Sequence, residues 1–212
     1  MKRKLNGFFQ RLYSFFGKQY WWPADSPFEV MVGAILTQNT SWANVEKAVL
    51  SLKNKKLLEP DKILKMAPKK LALLIKSAGY YNIKAKRLKN FLKFYFDNYN
   101  FSIKKISQVN LKNLRKQLLT VNGIGRETAD SILLYALNKP IFVVDSYTKR
   151  ILLRHGLVKE DADYPGVQEI FMRNLKKDAG IFNEYHALLV KLGKDYCHKK
   201  NPKCQECPLH GQ

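Results

Sequence analysis

LLTVNGIGRETADSILLYALNKPIFVVDSYTKRILLRHGL, residues 118–157, reads as helix, glycine turn, helix, short extended run, helix. Leu118 and Leu119 close one amphipathic segment, and Gly123-Ile124-Gly125 follows as a tight turn. Glycine has no Cβ and accepts positive φ, so the backbone of such a turn can lie close to a partner. Ile132, Leu133, Ala136 and Leu137 then restore helical spacing. A glycine turn feeding a helix N-terminus aims several N–H groups at one spot, which suits a phosphate. It is equally an ordinary way to turn between two helices. The run PIFVVD stops on one acid, Asp145, ahead of a helix starting at Ser146. Asp145 therefore reads as an N-cap, the usual work of aspartate before a helix, placed beside the turn where a carboxylate has other uses.

Composition weighs on that choice. Lysine and arginine number 38 against 17 acids, a formal charge of +21 with a pI near 9.9. A charge that large favours a polyanionic partner, because each neutralised phosphate releases condensed counterions. A merely soluble basic protein, or a lysine-rich thermophilic surface, is the competing explanation. With 212 residues, 46% hydrophobic and 12% aromatic, the chain is long and apolar enough for one or two packed domains. Apolar runs such as SILLYAL fall far short of the ~20 residues a membrane span needs. The basic, aromatic N-terminus is interrupted by Gln10, Arg11 and Tyr13 and lacks a small-residue cleavage site, so it reads as an amphipathic helix and not a signal peptide. A cytoplasmic, monomeric protein is expected. The three cysteines all fall within residues 197–207, which suggests metal ligands instead of a disulfide framework.

The period is helical almost throughout, with PIFVV the only strand-like run, so the expected fold is all-α with about ten helices. Residues 5–16 carry Phe8, Phe9, Leu12, Phe15 and Phe16 on or near one face. Trp21 and Trp22 stand in a loop before a proline, and Trp42 follows the polar string Thr37-Gln38-Asn39-Thr40. Flat rings stack on bases while glutamine and asparagine bond base edges or fill the hole a base leaves. Core tryptophans and a polar helix end explain the same residues.

Four stretches together resemble the endonuclease III superfamily of helix-hairpin-helix DNA glycosylases: GAILTQNTSWANVEKA (33–48), GYYNIKAKRL (79–88), VNGIGRETADSILLYAL (121–137) with VVDSYTKR (143–150), and CHKKNPKCQEC (197–207). The resemblance implies two helical lobes, a six-helix barrel over 24–135 and a second domain built from 1–23 plus 136–212, with double-stranded DNA carrying a damaged base held in the cleft between them. It implies that Gly123, Ile124 and Gly125, with Arg126 and Thr128, bind a DNA phosphate. Asp145 matches the family's catalytic acid, Trp21, Trp22, Trp42 and Glu127 line the base pocket, and Gln38 or Asn39 fills the space left by the flipped base.

Three departures refine that expectation. The bifunctional members carry a lysine nucleophile just after the hairpin glycines, and this chain has Glu127. A carboxylate forms no Schiff base, so strand cleavage should be weak or absent; Glu127 is instead a third-position capping residue, a pocket wall or a pair for Arg126. That glutamate, the WWP loop and LTQNT are similar to the bacterial 3-methyladenine glycosylases of the superfamily, whose cationic bases are held by electron-rich indoles. Cys197, Cys204 and Cys207 match the family's iron–sulfur motif without its fourth cysteine, and His210 is the available substitute. A 4Fe–4S cluster is expected, with zinc or no metal as alternatives. The expected activity is a monofunctional glycosylase for alkylated purines. Its rivals are a glycosylase for oxidised pyrimidines or mismatched bases and a non-catalytic DNA-binding protein.

Overall fold

The computed structural model describes residues 1–211 and divides them into two compact units, Ala24–Leu137 and a second one joining Met1–Pro23 to the chain from Asn138 onward. Among the described residues there are twelve α-helices and no strand. The first unit holds α2 (Pro27–Leu36), α3 (Trp42–Asn54), α4 (Pro60–Lys65), α5 (Pro68–Leu74), α6 (Tyr81–Tyr99), α7 (Ile103–Gln108), α8 (Leu111–Thr120) and α9 (Arg126–Ser131), the last continuing as a π turn over Ile132–Ala136. The second holds α1 (Lys2–Phe16), α10 (Ser146–Arg154), α11 (Tyr164–Asn174) and α12 (Ala179–Asp195). Short helices account for the excess over ten: α4 and α5 each open on a proline, which fits a first turn but cannot continue a preceding helix.

Helix α2 is the centre of the first unit, and every residue from Phe28 to Leu36 is buried. A helix apolar all round belongs inside a core. Its one buried acid, Glu29, accepts from the Asp25 N–H at 3.0 Å and pairs with Lys53 at 2.6 Å. The Ser26 hydroxyl accepts the Glu29 N–H at 3.2 Å and starts the helix. Val45, Ala48, Val49 and Leu52 of α3 face inward, as their spacing requires.

In the second unit α1 buries Leu5, Phe8 and Leu12, one residue per turn, whereas Phe15 is exposed and Phe9 and Phe16 are half-buried. The aromatic cluster read from the sequence is thus wider than the buried stripe. The strand-like run is an extended segment without a partner strand, buried at Ile141, Phe142, Val143 and Val144. Side chains of α11 replace the missing ladder: Gln168 donates to the Phe142 carbonyl at 2.6 Å, and the Val144 N–H donates to the Tyr164 hydroxyl at 3.4 Å. Phe142 stacks on Phe171 with ring centroids 3.7 Å apart, and Tyr185 of α12 donates its hydroxyl to the Leu5 carbonyl at 2.8 Å. The segment is therefore fixed on both sides, and it delivers Asp145 to the start of α10. No helix among the described residues is long and apolar enough to cross a membrane.

Candidate nucleic-acid interface and active site

The hairpin joins α8 to α9 and is set by its first glycine. Gly123 has φ +96°, and a Cβ there would lie 2.2 Å from Cγ of Arg87. Both conformation and contact therefore require glycine at this position. Gly125, the N-cap of α9, has an ordinary φ of −88°, and a Cβ there would meet nothing within 4 Å. Space is left open on its outer side. Ile124 is buried and anchors the turn, while Gly125, Arg126 and Glu127 are exposed. Thr128 is buried, and its hydroxyl accepts from Gln38 Nε2 at 2.9 Å. Glu127 occupies the second position of α9, not the third, where its charge favours the positive end of the helix.

Two buried ionic groups fix the helices around this turn. Asp130, wholly buried on α9, accepts from Arg115 of α8 at 2.6 and 3.0 Å. Lys84 of α6, 1% exposed, donates to the carbonyls of Leu36 at 2.8 Å and Ala78 at 2.7 Å. Burial, with the Arg87 charge adding to it, lowers the Lys84 ammonium to about 8. The signal for Asp130 was an acid directly before the apolar run SILL; nothing in the spacing of Lys84 sets it apart from the other bases of α6.

Gln38 lies just beyond α2. Its amide donates to the Gly123 carbonyl at 3.0 Å and to Thr128, and its own carbonyl accepts from Arg87. Asn39 is exposed in the left-handed conformation, φ +53°, which asparagine tolerates better than most residues. Trp42, half-buried, opens α3.

In the second unit Asp145 caps α10, with Oδ1 accepting the Thr148 N–H at 2.7 Å. Oδ2 lies 3.7 Å from Nε2 of His186 on α12, a residue the sequence reading passed over. The carboxylate is 14% exposed and the imidazole 6%. Burial lowers the His186 pKa, and the charge of Asp145 opposes that shift. Close approach of the two helices depends on Gly193, where a Cβ would meet the Tyr147 ring at 2.4 Å. Gly193 is two turns along α12 from His186 and so shares its face. Trp21 and Trp22 are half-buried with rings 5.9 Å apart and edge to face, and Lys194 lies 5.8 Å from the centre of the Trp21 ring. A pocket of about 380 Å³ beside α10 is lined by Ser146, Tyr147, Arg150, Lys194, His198 and Lys199, with Gly193, and contains no acid.

The cysteine tail follows α12. Cys197 is buried, Cys207 half-buried and Cys204 exposed. Burial pushes the Cys207 thiol up, and the charges of Cys197 and Cys204 add to that rise. His210 donates from Nδ1 to the Cys204 carbonyl at 2.9 Å. Among the described residues no group of three or more histidine, cysteine or acidic side chains is gathered closely enough to hold a metal ion. The donor type suits an iron–sulfur cluster, but the arrangement does not fit one. Arginines from α10 organise the tail: Arg150 donates to the carbonyls of Cys197 at 2.8 Å and Gly193 at 3.2 Å, and Arg154 to the His198 carbonyl at 2.7 Å and the Cys197 sulfur at 3.1 Å.

A glycine hairpin between helices, a capped carboxylate after a buried extended segment and a large positive charge define an all-helical protein of the helix-hairpin-helix glycosylase fold. Residues 32–177 match the HhH-GPD superfamily base excision DNA repair protein model. The chain belongs to that superfamily of DNA glycosylases. It is 52% identical over 200 residues to a provisionally named DNA repair glycosylase of Methanocaldococcus jannaschii, covering 93% of this chain and 90% of that one. It is 30% identical over 187 residues to endonuclease III of Thermotoga maritima, covering 86% and 80%. The H. pylori 3-methyladenine DNA glycosylase, solved with 1,N6-ethenoadenine bound, superposes with a TM-score of 0.79 at 29% identity, covering 90% of this chain and 97% of that one.

Proposed function

We propose that this protein is a monofunctional DNA glycosylase that hydrolyses the N-glycosidic bond of an alkylated purine flipped out of duplex DNA, with Asp145 as its essential acid. The observation that carries the reading is the state of the Asp145 carboxylate. One oxygen is fixed by the helix N-terminus, and the other is held in a nearly dry site opposite His186. When the bond between C1′ and the base nitrogen breaks, its electrons leave with the base and positive charge develops on the sugar. A carboxylate fixed in a site of low polarity stabilises that charge, and it takes a proton from the water that attacks C1′. A methylated purine is already cationic and departs neutral, so no group need protonate it. Trp21, Trp22 and Trp42 offer the indole faces that such a base prefers, and Lys194 beside Trp21 is drawn to the same electron-rich surface.

The hairpin is the phosphate grip in this reading. The open side of Gly125 admits the backbone, Arg126 adds charge, and Ile124 and the Thr128 hydroxyl serve the turn from within. Glu127 lacks the amine that β-elimination needs. The likeness to endonuclease III supports a second reading, an oxidised pyrimidine as substrate, with the same acid and another pocket. The tail is read as a structural element, and no step passes through a cluster.

Two experiments test the assignment. Asp145→Asn should lose base release by about 100- to 1000-fold, the range for removing one preorganised charge at a transition state, while equilibrium binding to a lesion duplex stays within about threefold. Borohydride should trap no covalent complex with wild-type protein. Base release surviving in Asp145→Asn, or a trapped Schiff base, would end the assignment.

A further inference from the structure

We infer that Gln38 and Arg87 are positioning residues of the hairpin, which act on DNA binding through the turn and not by contact with the DNA. The inference rests on the glycosylase reading above and assigns parts of LTQNT and GYYNIKAKRL that the reaction does not use. An amide side chain has two N–H donors and one carbonyl acceptor. Both Gln38 contacts from Nε2 go to the hairpin, one to the Gly123 carbonyl before the turn's midpoint and one to the Thr128 hydroxyl after it. Its carbonyl is occupied by the Arg87 guanidinium. Gln38 thus bridges the turn from beneath.

Arg87 supports the same turn sterically, because its aliphatic stem fills the place a Cβ of residue 123 would take, 2.2 Å from Cγ. One helical turn earlier on α6, Lys84 donates to the Leu36 carbonyl, so α6 holds the end of α2 on both sides of Thr37. For Gln38 to insert into DNA it would have to abandon three hydrogen bonds and leave the Gly123 carbonyl and the Arg87 guanidinium without it.

The test uses the full chain. Fluorescence anisotropy measures Kd for a duplex with one tetrahydrofuran abasic analogue over a salt series, and single-turnover release is followed on a duplex methylated with dimethyl sulfate. Gln38→Met and Arg87→Met should each weaken binding about tenfold, the effect of losing one or two hydrogen bonds to a charged or backbone group. The double variant should bind no worse than the weaker single, since both remove one bracket. The slope of log K against log salt should fall equally in both, although Gln38 carries no charge. Thr128→Val, close to isosteric, should give a smaller loss of the same kind and guards against a misfolded variant.

A slope that falls by about 0.9 in Arg87→Met alone would make Arg87 a direct phosphate contact. Additive losses in the double variant, or base release in Gln38→Met slowed beyond its loss of binding, would overturn the inference as well. Failure of the wild-type chain to bind the duplex at all would overturn the glycosylase reading instead.

Discussion

The hairpin turn is closed by groups of its own unit that reach it from three directions: Gln38 from below, Arg87 along the side of Gly123, and Arg115 onto the buried carboxylate of Asp130. The cysteine tail is closed by groups that grip mainly its backbone. Arg150 and Arg154 bind chiefly backbone carbonyls, Leu209 is buried, and only the Cys197 sulfur receives a hydrogen bond from them. In the first region the residues that make the motif recognisable also make its geometry. In the second the recognisable residues and the ones that hold the shape are different sets. A spacing of cysteines records what a metal would need, whereas a glycine turn records what the backbone already does.

Arg115→Met bears hardest on this contrast, because it strips both charge-assisted bonds from a carboxylate that water does not reach. A loss of about 3–5 kcal/mol in urea unfolding is expected; less than 1 kcal/mol would mean that other contacts hold α8 to α9. Gly123→Ala comes next, at about 1–3 kcal/mol for a positive φ and a collision with Arg87. Its companion Gly125→Ala should cost under about 1 kcal/mol of stability, as its φ suits any residue, yet still weaken DNA binding by crowding the open side. Equal stability losses at the two glycines would erase the distinction drawn between them.

In the tail, Arg154→Ala should cost about 1–2 kcal/mol locally, seen as faster protease cutting after Cys197. A chelator should leave the wild-type cutting pattern unchanged; a tail that opens on chelation would show that metal, and not α10, holds it.

The smallest effect is a dependence on pH. Lys84 has a pKa lowered to about 8 from 10.5, so between those values the folded protein binds fewer protons than the unfolded chain. Stability therefore rises as pH increases through that window, the penalty of a buried charge being removed. Buried Tyr95, pushed up to about 12 from 10.0, works in the opposite sense above its ordinary value. The rise is thus read between pH 8 and about 10, and Lys84→Met should flatten it. A flat wild-type profile would place the Lys84 charge in contact with water.

Much of this was legible in the chain. Helical period gave an all-α fold, and the apolar run ending on Asp145 gave the cap of α10, because periodicity and capping are local physics. What escaped was set by distant contacts. His186 lies opposite Asp145 only because Gly193 lets α12 approach Tyr147, and nothing near residue 186 signals that. Gln38 looked like a residue free to meet a base, and its engagement by Arg87 and Gly123 joins positions far apart in sequence. Phe15 shares or borders the aromatic face that the spacing of α1 suggests, but the buried stripe runs through Leu5, Phe8 and Leu12.

The most direct test of the central claim is base release by wild-type protein from duplexes carrying one lesion each: 3-methyladenine, hypoxanthine, thymine glycol, uracil and 8-oxoguanine, with strand cutting scored separately. Release of the methylated purine that leaves an uncut abasic strand, and is lost in Asp145→Asn, is the predicted result. Release of thymine glycol together with strand cleavage would contradict it.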